Sequence, residues 1–187
     1  MINMQLIEIR KILKSKSDLK TKRNIQKFVP NIKKQYGVKI SVLNEIVKKI
    51  KKPNFELVEK LWSSGIFEEK ILASKVLGKI SQINPKKTLK LIRKFSKDIS
   101  DWAVCDTLAT QGIRKIVKEK KKEIFDLSRE LISSKNFWQR RFAIVLLIEL
   151  SRQGFAKQKI EKLLKKVEND KEDYVRKAGV WLKSELK

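Results

Sequence analysis

Alanine recurs at positions 73, 109, 143 and 178, at intervals of 36, 34 and 35 residues, each time inside a segment whose apolar residues are spaced by threes and fours. Apolar residues at that spacing lie on one face of a helix, and no stretch alternates with the period of two that a half-buried strand needs. A small side chain at a fixed place in a helix lets a neighbouring helix approach closely. A period of about 30 to 47 residues is that of stacked helix pairs of the TPR, HEAT or armadillo kind. The TPR pattern is not met. The expected fold is therefore all-α, a HEAT-like helical-repeat solenoid whose second helices line a concave face.

The breakers agree with this division. Ser63-Ser64-Gly65, Asn84-Pro85, Ser133-Ser134, Gly154 and Asn169-Asp170 separate expected helices near 54–64, 67–81, 86–98, 101–117, 121–134, 136–152, 156–168 and 172–186. These form four regular pairs over 54–186. Residues 1–52 read as irregular N-terminal helices: 2–15, with Ile2, Leu6, Ile9 and Leu13 on one stripe; a second capped by Ser17 and Asp18 and ending at Pro30; a connector 31–39; and a short helix capped by Ser41 and closed by Lys51-Lys52-Pro53. The expectation is one domain, 1–187.

Charge narrows the partner. Lys and Arg number 46 against 21 Asp and Glu, a formal charge of +25. An excess of that sign suits an extended polyanion, because each phosphate neutralised releases condensed counterions. Lysine enrichment in heat-stable surfaces explains the number of charges but not their sign. Cys105 stands alone and histidine is absent. That excludes Ser-His and Cys-His nucleophilic arrangements and leaves neither a disulfide nor a plausible metal site. The six glycines are scattered, so no phosphate-cradling glycine loop exists. No cofactor is expected. No run of about 18 apolar residues suggests a membrane span, and no signal peptide is apparent. The single cysteine favours a reduced, cytoplasmic setting, and a monomer is expected.

Within this frame, Asp101 to Ile116 reads as one helix carrying Trp102 and Asp106 four residues apart, hence on the same face. Further pieces are Tyr36-Gly37-Val38-Lys39, Leu61-Trp62 followed by Phe67-Glu68-Glu69-Lys70, Trp138 to Arg141, and Lys177-Ala178 with Trp181. In this order and at these intervals the chain resembles the AlkD-like family of HEAT-repeat DNA glycosylases, which remove alkylated purines from DNA. The likeness runs from about Tyr36 to Leu186. It implies that Asp106 is the catalytic carboxylate and that Trp102 and Trp181 are aromatic walls around the lesion nucleotide. Arg141 would hold the DNA backbone beside them, and Lys39 would join other lysines in tracking phosphates. The repeat register offers Arg140 as second choice for Arg141, since Arg140 stands three residues before Ala143 as Asp106 does before Ala109. Family members continue into further helices, whereas six residues follow Trp181 here, so a shorter C-terminal wall is expected.

The implied reaction suits the composition. A purine alkylated on a ring nitrogen is already a cationic leaving group, and no general acid is needed. One carboxylate is then enough to stabilise the positive charge that grows on the sugar and to orient water. The implied activity is hydrolysis of the N-glycosidic bond of cationic alkylated purines such as 3-methyladenine or 7-methylguanine in double-stranded DNA, the first step of base excision repair. Two other readings use the same residues: a non-catalytic HEAT-repeat module that binds nucleic acid, and a protein-interaction scaffold for an acidic partner. In both, Trp102 is core, Asp106 a solvated acid, Arg141 a surface cation and Trp181 an interface aromatic. Trp62 and Trp138 are assigned to packing.

Overall fold

The computed structural model describes residues 4–30 and 32–187, and it contains eleven α-helices, one 3₁₀ turn and no strand among them. Two positions named above, Ile2 on the first stripe and Asn31 in the connector, lie outside the described residues. The helices are α1 (Met4–Ser15), α2 (Leu19–Phe28), α3 (Ile40–Lys49), α4 (Phe55–Ser63), α5 (Phe67–Ile80), α6 (Pro85–Ser96), α7 (Trp102–Gln111), α8 (Lys121–Leu131), α9 (Phe137–Ser151), α10 (Lys157–Leu164) and α11 (Asp173–Glu185).

The four alanines sit on α5, α7, α9 and α11, and each is essentially fully buried. These second helices pack side by side in chain order and form one continuous layer, with α4 packed on α5, α8 on α9 and α10 against α9 and α11. α9, in the middle, is apolar almost all round, and Phe142 to Ile148 is wholly buried, as expected of a helix enclosed by its neighbours. Stacking also places residues about one repeat apart within side-chain reach. Asp106 meets Arg141, Glu59 meets Lys94, Glu130 meets Arg93 and Glu185 meets Arg152.

Local chemistry sets most helix starts. Asp18, Asn54, Asn84, Asp101 and Asn136 each accept a backbone N–H of the first turn, and Pro85 at the first position of α6 loses no bond. Two expectations are corrected. Ser41 does not cap α3, which begins at Ile40 after an extended Lys39 with no side-chain cap. The reason lies in the preceding connector, whose backbone is fixed from outside by Glu68. Nor is 101–117 one continuous helix: α7 ends at Gln111 and residues 112–119 continue as hydrogen-bonded turns. Where α7 ends, α5 crosses it so closely that a Cβ on Gly78 would lie 1.9 Å from the Gln111 carbonyl oxygen.

The N-terminal helices are attached through α5. Glu68, at 0 % exposure, accepts the backbone N–H groups of Tyr36, Gly37 and Val38 at 2.9, 2.7 and 3.1 Å. Glu69, equally buried, takes a two-pronged bond from Arg10 and the hydroxyl of Tyr36 at 2.8 Å. Gly37 at φ +85° presses its backbone against the first turn of α2, where a side chain would meet Lys22 and Asp18. Thus Tyr36-Gly37-Val38-Lys39 and Phe67-Glu68-Glu69-Lys70, far apart in sequence, form one hydrogen-bonded clamp.

Candidate active site

The site is built on α7. Asp101, buried, accepts the Val104 N–H at 2.8 Å and fixes the first turn, so Trp102 and Asp106 project from the same partly exposed stripe. The indole N–H of Trp102 reaches across to the N-terminal unit and donates to the Phe28 carbonyl at 3.0 Å. Trp102 is thereby held at the junction between the repeat layer and the end of α2.

One repeat on, α9 brings Arg141 opposite Asp106. Its Nε donates to Asp106 Oδ1 at 2.9 Å and one terminal nitrogen donates to Oδ2 at 2.7 Å, the fork geometry that matches a carboxylate. The other terminal nitrogen donates to the Tyr174 carbonyl at 2.7 Å. Arg141 is only 7 % exposed, while the Asp106 side chain keeps 20 % of its surface open. A carboxylate offers about four lone-pair positions. The fork uses one on each oxygen, and the open edge leaves the carboxylate able to accept from water or a sugar.

Burial pushes the Asp106 carboxyl above its usual pKa, against the opposing hydrogen bonds and charge of Arg141. Arg141 in turn holds its proton more tightly than usual because of Asp106, although burial works against it. The pair is an ionised carboxylate fixed in place, with its field partly offset by its partner. The neighbouring Cys105 is completely buried, and burial drives its thiol well above the ordinary range, so it is no nucleophile.

The remaining sequence candidates are placed as follows. Arg140 turns away from Asp106 and forks onto Asp170 at 2.6 and 2.8 Å. Trp181 is half-buried on α11; its indole donates to Glu185 at 3.0 Å, and the Arg152 guanidinium lies over its ring at 5.5 Å. Its contacts are therefore with Glu185 and Arg152 rather than with Asp106. Lys39 is exposed at the start of α3, and its charge acts on Asp18. Trp62 stacks on Phe95 with ring centroids 4.3 Å apart, and Trp138 packs against Phe137 and Tyr174.

Two contributors escape sequence reasoning, the carbonyls of Phe28 and Tyr174. Backbone acceptors carry no residue-type signal. The Asp106–Arg141 interval of 35 residues did hold the information, because it equals one repeat, yet the shorter alanine interval of 34 shifts the register to Arg140.

Among the described residues no group of three or more Cys, Asp or Glu is arranged to hold a metal ion, and no helix is long and apolar enough to cross a membrane. The sequence model of one protein family, described as DNA alkylation repair enzyme, matches residues 9–185. No curated protein matches the chain.

Proposed function

The chain belongs to the DNA alkylation repair enzyme family, and from that premise we propose that it is a monofunctional DNA glycosylase, acting as a monomer on cationic N-alkylated purines in double-stranded DNA. The observation that carries the reading is the Asp106 carboxylate, ionised, fixed by the Arg141 fork and open along one edge beside Trp102.

The alkylated base leaves with the electron pair of the glycosidic bond and departs neutral, so no proton has to be delivered to it. Positive charge grows on the deoxyribose meanwhile. A carboxylate already in position stabilises that charge without reorganising, and its free lone pairs orient the water that adds to the anomeric carbon. The water proton passes to the carboxylate or to solvent. Trp102 presents an indole face to the cationic nucleotide, an interaction worth about 0.5–2 kcal/mol. Trp181 would serve as a second wall once DNA displaces Arg152 from its ring. Arg141 acts first on Asp106, and its two remaining N–H donors suit a backbone phosphate.

The test is release of free base from DNA methylated on purine ring nitrogens by the purified protein and by Asp106→Asn. Release by the parent that drops in the variant supports the reading. Intact DNA binding without release assigns the chain to the non-catalytic nucleic-acid binders. The partial offset of the Asp106 field by the Arg141 charge is the feature that favours that second reading.

A further inference from the structure

A groove of about 710 Å³ opens between α3, α5 and the turn that follows α7. Five cations line it, Lys48, Lys75, Lys79, Arg114 and Lys115, and no carboxylate does. Two of the five close helix ends: Lys79 donates to the Val47 and Ile50 carbonyls at 3.2 and 3.1 Å, and Lys115 to the Lys79 carbonyl at 3.1 Å. Lys75 and Arg114 differ. Neither side chain has a hydrogen-bond or ion-pair partner among the described residues. Both line the same groove, and burial, then the charge of Arg114, holds the Lys75 ammonium below its usual pKa. Two like charges, Lys75 half-buried and Arg114 exposed, thus share a groove that holds no acid, whereas Arg140, another half-buried cation, forks onto Asp170. The groove's shape is fixed, because its floor is the close crossing of Gly78 and Gln111.

The location relates it to the candidate active site. On α7 only positions 102, 103, 106, 107, 110 and 111 escape full burial, and the exposed Arg114 and Lys115 continue that stripe. Eight residues separate Asp106 from Arg114, five within α7 and three in the turn that follows, roughly 12–14 Å at about 1.5 Å per residue in the helix and about 2 Å in the tighter turn. That is the length of about three to four nucleotides at 3.4 Å each.

We propose that this groove is a phosphate site: Lys75 and Arg114 hold one backbone phosphodiester of the bound duplex, about three to four nucleotides from the base facing Asp106. The proposal rests on the DNA-repair reading for its ligand. Its test is independent of base release, because it is made first on undamaged duplex. The double variant Lys75→Gln, Arg114→Gln should bind that duplex about tenfold more weakly near 0.1 M salt, and the slope of log affinity against log salt should flatten by about one, the loss of one phosphate contact. Its melting temperature should not fall, since the substitution removes a repulsion. With a parent duplex carrying an alkylated purine, one neutral methylphosphonate three to four nucleotides from the lesion should reproduce the loss, and the loss should not deepen in the variant. Unchanged affinity and slope overturn the proposal. So does a result in which inorganic pyrophosphate raises the melting temperature of the parent but not of the variant while duplex binding is unaffected, which would give the groove to a free phosphate ligand. If base release is absent and the slope still flattens, the glycosylase reading fails and the phosphate site stands.

Discussion

Two neighbouring second helices each carry buried carboxylate chemistry, and they use it in opposite ways. On α5, Glu68 and Glu69 are sealed from solvent, and their oxygens are taken by three backbone N–H groups, by Arg10 and by the Tyr36 hydroxyl. On α7, Asp106 is held just as firmly by a single guanidinium, yet part of its surface stays open. Sealing separates the two. A carboxylate that takes three bonds from inside the protein and has no open surface can only hold structure together, whereas one fixed from behind with an open edge keeps capacity for an outside ligand.

The most disruptive way to probe this contrast is Glu68→Ala. Three buried N–H groups would lose a charged acceptor, each costing about 1–3 kcal/mol, so the variant should lose at least ~3 kcal/mol in a urea titration. An unaltered midpoint would mean that the clamp is not structural. Asp106→Asn should do the reverse. Base release should fall about 10²–10³-fold, equivalent to ~2.7–4 kcal/mol on the barrier, while the midpoint moves much less because Asn still offers Arg141 an acceptor. Arg141→Lys keeps the charge and loses the fork. About a tenfold fall in release, or ~1.4 kcal/mol, with DNA binding little changed would identify Arg141 as a positioning residue, and the opposite pattern would make it a phosphate contact.

The smallest expected effects concern pH. Burial, then the Glu69 bond, pushes Tyr36 up to about 12. A folded value raised above an unfolded one near 10 means that the folded state binds the proton more tightly. The stabilisation is complete below about pH 10 and is lost as pH rises towards 12. Tyr36→Phe should remove that alkaline limb from a stability–pH curve. At the other carboxylate, Asp106 lies above the ordinary range, so base release should decline on acidification at a higher pH than an ordinary aspartate would give.

The contrast also explains what could be read beforehand. Helix number, pairing and the buried alanines follow from short-range rules: apolar spacing, breakers and caps that act within four residues. Asp18 caps as its position suggests, and Asp101, read as the first residue of its helix, caps α7 instead. Glu68 and Glu69 look like ordinary acids favoured at a helix start, and nothing local tells that they reach 30 to 59 residues back. Arg140 and Arg141 are adjacent and chemically identical. Which of them meets Asp106 depends on how α9 is turned in the stack, and its nearly all-apolar surface does not encode that rotation.

The pairs that join residues one repeat apart carry a mechanical implication. Glu59–Lys94 and Arg93–Glu130 are rungs between successive first helices, Asp106–Arg141 joins the second helices α7 and α9, and Arg152–Glu185 ties the end of α9 to α11. Bending the stack would stretch the rungs of one layer and shorten those of the other. On the function proposed above, the Asp106 carboxylate would answer to such bending, because its two bonds to Arg141 join neighbouring second helices.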